Sequence, residues 1–202
     1  MEFPSAPSLT ALILAGGKSS RLGQDKALLP VNTEPMLHRT CQIAKGCSEQ
    51  VYVVTSCPEK YQEIVPEGCD FIKEKSPDGP LVALSQALPQ VKTDWVLVLA
   101  CDLPKLEPGI LNQGVISLTS ISPETIALLP RDKQGWQPLC GFYRSSCLPQ
   151  LQAYLEAGGR SFQGWLDQHP VQELPLKDKE ILFNCNTPED LAELRKGQCL
   201  EP

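Results

Sequence analysis

Three short apolar runs constrain this chain more than any other feature: Thr10–Ala15 (TALILA), Val51–Thr55 (VYVVT) and Trp95–Ala100 (WVLVLA). Each is too short for a buried helix and lacks the polar alternation of a half-exposed strand. Such runs fit strands covered on both faces, as in a parallel sheet. Parallel strands need long crossovers, and the intervening segments provide them. Met36–Cys47, Gly79–Leu88 and Pro108–Leu118 read as helices, the last with proline in its first turn, where its missing N–H costs nothing. Weaker strand signals lie at Cys69–Lys73, Thr125–Leu129, Leu139–Tyr143 and Val171–Leu174. A short helix is expected around Tyr61–Val65, two more over Cys147–Glu156 and Ser161–His169, and a last one over Pro188–Lys196, capped by Thr187. This alternation predicts a single Rossmann-like α/β domain with a mostly parallel sheet over residues 10–197. Residues 1–9 read as a flexible N-terminal tail.

Charge and cysteine usage narrow the function classes. A formal net charge of −6 argues against a nucleic-acid partner or an anionic membrane surface, since both require a basic face. The nine cysteines are odd in number and form no CxxC pair, and the only histidines are His38 and His169. Zinc or iron–sulfur ligation therefore has little support. No stretch approaches the roughly 20 apolar residues of a membrane span. Residues 1–9 also lack a basic stretch followed by a long apolar one. The expectation is a cytoplasmic protein with reduced thiols. Nineteen prolines, about twice the usual share, fall between the apolar runs and imply firmly set loops.

In open α/β sheets, ligands bind beyond the carboxyl ends of the strands. The loop after TALILA reads GGKSSRLGQDK, from Gly16 to Lys26. Glycines allow positive φ and close approach of the backbone to a ligand. Lys18, Arg21 and Lys26 place three cations within nine residues of an acidic protein. With backbone N–H groups as further donors, that chemistry suits a polyanion such as a triphosphate. The spacing is not a Walker A loop, because Gln24 stands where lysine is needed. It is not GxGxxG either, because Lys18 stands at the second glycine. On chemistry alone, a solvated turn with surface charges fits as well. Asp102 follows the third run and Cys101, at a strand's carboxyl end, where a carboxylate suits Mg2+, a hard ion that prefers oxygen ligands and substrate phosphates. A strand-ending turn would use the same residue.

The residue pattern is more specific than the chemistry. LAGGxSxRxGxDKxLL, from Leu14 to Leu29, resembles the signature loop of the nucleotidyltransferases that make molybdopterin dinucleotides, most of all the guanylyltransferases among them. Pro77-Asp78-Gly79-Pro80-Leu81 resembles their GPLxG turn, and Ala100-Cys101-Asp102-Leu103-Pro104 their CDxP motif. Gln137-Pro138-Leu139 resembles their mid-chain PL motif. Asn184-Cys185-Asn186-Thr187-Pro188-Glu189-Asp190-Leu191 resembles NxNTPEDL. The matches keep their order from residue 12 to residue 191. The resemblance implies a nucleotide-diphospho-sugar-transferase-like fold. It also implies transfer of GMP from GTP to molybdenum-molybdopterin, with pyrophosphate released and Mg2+ as cofactor.

Carried over residue by residue, the resemblance implies that Asp102 binds the metal, that Lys26 contacts the nucleotide and that Arg21 faces the triphosphate. Leu14, Ala15, Gly16 and Gly17 match backbone contacts to nucleotide, and Gly79 and Pro80 shape a turn before a helix. Asn184 and Asn186 are expected near the pterin or the metal. Thr55 stands where the family often has a nucleotide-contacting Asn, and Glu74 where it often has Asp. Leu22 replaces a frequent Met, and Ala83 the second glycine of GPLxG. The implied protein partners are the molybdenum-insertion protein and the recipient molybdoenzymes. Three rivals share parts of the pattern: a molybdopterin cytidylyltransferase, a sugar-nucleotide pyrophosphorylase and a non-catalytic nucleotide-binding adaptor. The first tends to carry LAAG without the DK pair, and the second is usually longer. Retention of Asp102 and Lys26 weighs against the third.

Overall fold

The computed structural model describes residues 7–16, 24–31, 33–176, 178, 180–183, 185 and 190. Within them, seven strands form the main sheet: β1 (Leu9–Leu14), β2 (Gln50–Thr55), β3 (Cys69–Lys73), β4 (Trp95–Ala100), β5 (Ala127–Leu129), β6 (Cys140–Arg144) and β7 (Val171–Glu173). Their order in space is β7-β5-β6-β4-β1-β2-β3. β6 runs antiparallel to its neighbours β4 and β5, while the other pairs are parallel. Every residue of β1 and β4 is buried. That double coverage is the reason both read as unbroken apolar runs.

Alternate residues of these strands feed two core layers. On one face Ala11, Ile13, Leu97, Leu99 and Phe142 pack with Leu37 and Cys41 of α1 (Met36–Lys45) and Leu111 of α3 (Pro108–Ser117). On the other, Leu12, Leu14, Val96, Val98 and Tyr143 meet Leu81 and Leu84 of α2 (Pro80–Ala87), Leu151 of α4 (Leu148–Glu156) and Trp165 of α5 (Phe162–Leu166). Each Leu, Ile, Val or Phe among them contributes about 1.5–3 kcal/mol of burial. The chain leaves β1 outward through β2 and β3, then returns to place β4 on the other side of β1. The connection reverses direction there, so the crevice beyond the ends of β1 and β4 is the topological switch point.

Most sequence expectations hold to within two residues, but the helix expected over Ser161–His169 ends at Leu166, an unexpected ladder pairs Pro30–Val31 with Glu34–Pro35, and further differences follow. Tyr61–Val65 is not a helix. A 3-10 turn occupies Pro58–Lys60, and turns follow it. Pro66 disfavours helical geometry at Val65, which leaves no room for a further turn of helix. Leu9 is already in β1, so the strand starts one residue before TALILA. A small hairpin, Arg131–Asp132 with Gly135–Trp136, was not expected. Asp132 Oδ1 accepts from Gln134 N at 2.7 Å, and Gly135 supplies a φ of 121° that closes the turn. The helix expected over Pro188–Lys196 lies outside the described residues except for Asp190, which is helical.

Gly114 sits inside α3, where glycine costs about 1 kcal/mol relative to alanine. Its reason is close packing: a Cβ there would lie 2.3 Å from Cε2 of Phe142. Gly114→Ala is therefore expected to destabilise the protein by about 1–3 kcal/mol through overpacking, measured as a lower urea midpoint. A gain of about 1 kcal/mol would instead mean that α3 can move off the ring.

Candidate active site

The loops after β1 and β4 converge because those strands are neighbours. Asp102 lies two residues beyond β4. Lys26 opens the 3-10 turn Lys26–Leu28. Lys26 Nζ donates to Asp102 Oδ2 at 2.9 Å across 76 residues of sequence. The two side chains are 20% and 15% exposed, so the pair is sheltered yet open to a ligand. The Asp102 carbonyl also accepts from Cys185 N at 3.3 Å. That bond brings Cys185 beside Asp102.

Asp25 supports Lys26. Its carboxylate caps the turn, accepting from Ala27 N at 3.1 Å. Tyr61 Oη donates to it at 2.8 Å, and Lys60 forms an ion pair with it. Burial alone would raise the Asp25 carboxyl, but the hydrogen bonds from Lys60, Tyr61 and Ala27 outweigh it and hold the carboxyl below its ordinary value. Burial, followed by the Asp25 bond, pushes the Tyr61 hydroxyl well up, so it stays a donor. Asp25 is thus fully occupied in orienting the lysine beside it.

A cavity of about 160 Å3 opens next to the pair, lined by Leu14, Gly16, Glu74, Pro77, Gly79, Pro80, Ala83, Ala100 and Leu139. Among the described residues, Glu74 is the one ionisable group in its lining. Its residue is only 9% exposed, and burial raises its carboxyl above the ordinary value. Among the described residues, no hydrogen-bond donor or cation reaches that carboxylate. A Cβ on Gly16 would come within 3.4 Å of Glu74 Oε2, so the bare backbone there gives the carboxylate room. Gly79 has φ 100° and precedes α2, a conformation that L side chains rarely adopt.

Of the residues singled out in the sequence, Leu14, Gly16, Glu74, Gly79 and Pro80 line one cavity, and Lys26 and Asp102 pair beside it. Ala15 is buried and continues the sheet, its N–H donating to Val54 O at 3.0 Å. Thr55 is buried and is not part of the lining. Its hydroxyl accepts from Cys57 N at 3.3 Å, and its carbonyl accepts from Glu74 N at 2.9 Å. It therefore steadies Glu74. Gly17, Arg21, Asn184 and Asn186 lie outside the described residues. Sequence reasoning missed Tyr61 and Lys60, which sit in an ordinary-looking loop 36 and 35 positions from Asp25. Among the described residues, no three His, Cys, Asp or Glu side chains gather as a metal cage. None of the described helices is long and apolar enough to cross a membrane.

Glu74 makes the stability pH-dependent in a defined direction. Its folded-state pKa is raised, so ionisation opposes folding. The loss starts as pH rises past about 4.3 and is complete above the raised folded value. In thermal melts from about pH 4 to about pH 8, Glu74→Gln is expected to gain on the wild type as pH rises. A gap that moves the other way would mean that the carboxylate has a stabilising cation partner.

A family model described as the MobA-like NTP transferase domain matches residues 11–172. The protein named "Probable molybdenum cofactor guanylyltransferase" from Nostoc sp. is 54% identical over 185 residues, covering 92% of this chain and 89% of that one. A relative of the same name from Synechococcus elongatus is 44% identical over 191 residues, covering 93% and 98%. The solved structure of molybdopterin-guanine dinucleotide biosynthesis protein A from Archaeoglobus fulgidus superposes with a TM-score of 0.77 at 21% identity, covering 95% of this chain and 100% of that one. It shares the fold. With a switch-point cavity, a Lys–Asp pair beside it and these relatives, the chain belongs to the molybdenum cofactor guanylyltransferases of the MobA-like NTP transferase family.

Proposed function

We propose that the chain transfers the GMP unit of GTP to the terminal phosphate of molybdenum-molybdopterin, giving the guanine dinucleotide form of the cofactor and pyrophosphate. The observation that carries this reading is the Glu74 carboxylate, which has no partner among the described residues, in a cavity lined also by Ala100, two residues before the Asp102 that pairs with Lys26. One site suits a base, the other its phosphates.

Guanine offers two adjacent donors, N1–H and the 2-amino group, to the two oxygens of Glu74. Cytosine presents one amino donor on the corresponding edge. A buried acceptor left unpaired by the wrong base rejects it strongly. Leu14, Ala15 and Gly16 supply the backbone path along the base. Gly79 and Pro80 form the opposite wall, where the first N–H groups of α2 have no intrahelical partner. Arg21 and the Gly17 backbone are assigned to the triphosphate.

The donor set fits Mg2+. That ion is usually held by one or two carboxylates plus substrate phosphates rather than by a protein cage, and Asp102 is such a carboxylate. By the motif resemblance, Asn184 and Asn186 are assigned to the pterin or the metal, with Asn186 the candidate second ligand. When bound, Mg2+ supplies positive charge against the α-phosphate oxygens. Lys26, held within reach of the same carboxylate, places its ammonium against the phosphates. A terminal phosphate oxygen of the pterin forms a bond to the α-phosphorus. The bond to the bridging oxygen breaks, and pyrophosphate leaves with the electron pair. The attacking phosphate carries its own nucleophilic oxygen, so no general base is required. Positioning and charge neutralisation carry the rate. The labile pterin implies hand-over from the molybdenum-insertion protein and onward to recipient molybdoenzymes in the cytoplasm.

The test is a nucleotide panel with purified molybdopterin, read as pyrophosphate release. GTP should be consumed in preference to ATP and CTP. Asp102→Ala should abolish turnover while the far-UV spectrum stays unchanged, and Lys26→Ala should lower kcat by about 10²–10³-fold. Preference for CTP, turnover of a sugar phosphate, or nucleotide binding without any transfer would overturn the reading.

A further inference from the structure

The segment that carries Asp102, Cys101–Leu106, has no regular secondary structure to fix it. It is held instead from α1. Arg39 Nη2 donates to Leu106 O at 2.8 Å, and Nε points to Pro104 O at 3.4 Å. The planar guanidinium presents these N–H groups in a fixed fork, so one side chain sets the position of two carbonyls at once. An ammonium on a flexible stem does not.

The same helix holds the other half of the site. Met36 N, in the first turn of α1, donates to Leu29 O at 2.9 Å, three residues beyond Lys26. Leu29, Val31, Met36 and Cys185 then form a small buried cluster of their own. The base of this arrangement is rigid. Leu37, Cys41 and Ala44 of α1 are 0% exposed, and Thr40 Oγ1 donates back to Met36 O at 2.9 Å. One helix therefore grips the Lys26 segment at its start and the Asp102 segment one turn later.

We propose that Arg39 is a positioning residue that fixes Asp102 against Lys26, and through that spacing sets the affinity for the divalent cation and the rate of GMP transfer. The proposal rests on the reading above that Asp102 holds Mg2+. A misplacement of about 1 Å at a reacting centre costs on the order of 10²-fold, so a loose strap shows in kinetics before it shows in folding.

The experiment compares Arg39→Met, which keeps the aliphatic stem, with Arg39→Lys, which keeps the charge and one donor. Thermal melting, kcat, KM for GTP at saturating Mg2+ and the half-saturating Mg2+ concentration are measured for each, with Asp102→Ala alongside. Arg39→Met should need about 5–10-fold more Mg2+ and lose about tenfold in kcat, with KM for GTP changing less than about twofold. Arg39→Lys should recover part of both effects. If Arg39→Met does not fold, the folded Arg39→Lys protein must still show the raised Mg2+ requirement. Wild-type kcat and Mg2+ dependence in a folded Arg39 variant, with Asp102→Ala inactive, would overturn the strap alone. Mg2+-dependent turnover by Asp102→Ala would overturn the metal assignment on which the strap rests.

Discussion

β1 and β4 lie side by side, parallel and buried on both faces, and the site follows from that pairing. Parallel neighbours end on the same edge of the sheet. The chain reverses direction between them, so no helix crosses over their ends. The Lys26 turn and the Asp102 segment meet beyond that edge, where Lys26 and Asp102 form an ion pair. The helices on the two faces brace this junction from either side. α1 holds both partners from one layer. α2 brings Gly79 and Pro80 to the cavity from the other.

The site includes a group that works against folding. Glu74 keeps a carboxylate in a cavity with no partner among the described residues, although burial disfavours its charge. Asp25, equally a carboxylate, has three donors and is held ionised. The contrast separates the two: Asp25 spends its oxygens on the protein, and the Glu74 carboxylate lines the cavity. A partly desolvated carboxylate in a cleft is a candidate for ligand binding. Thr55 belongs with Asp25, because its hydroxyl and carbonyl are already committed to the chain.

The strands were legible where burial was uniform. TALILA and WVLVLA advertise double coverage, and Cys69–Lys73 was placed at its observed limits. The direction of β6 was not legible, since an apolar run looks the same parallel or antiparallel. Tyr61–Val65 misled because its apolar spacing suggested a helix, while flanking prolines and the Asp25 bond turned it into a loop. The candidate site divides similarly. Gly16, Gly79 and Pro80 were read from motif resemblance and Glu74 from alignment position, and all four line the cavity. Thr55 was read by alignment position, and position does not reveal that a hydroxyl is already bonded. Arg39 gave no signal, because an arginine on a helix usually reads as surface charge.

The most direct measurement is an experimental structure of the protein with a non-hydrolysable GTP analogue and Mg2+. The account predicts the guanine edge against Glu74 in the cavity between Leu14 and Pro80, the ion on Asp102, and Lys26 against the phosphates. A base seated outside that cavity, or an ion held without Asp102, would contradict it.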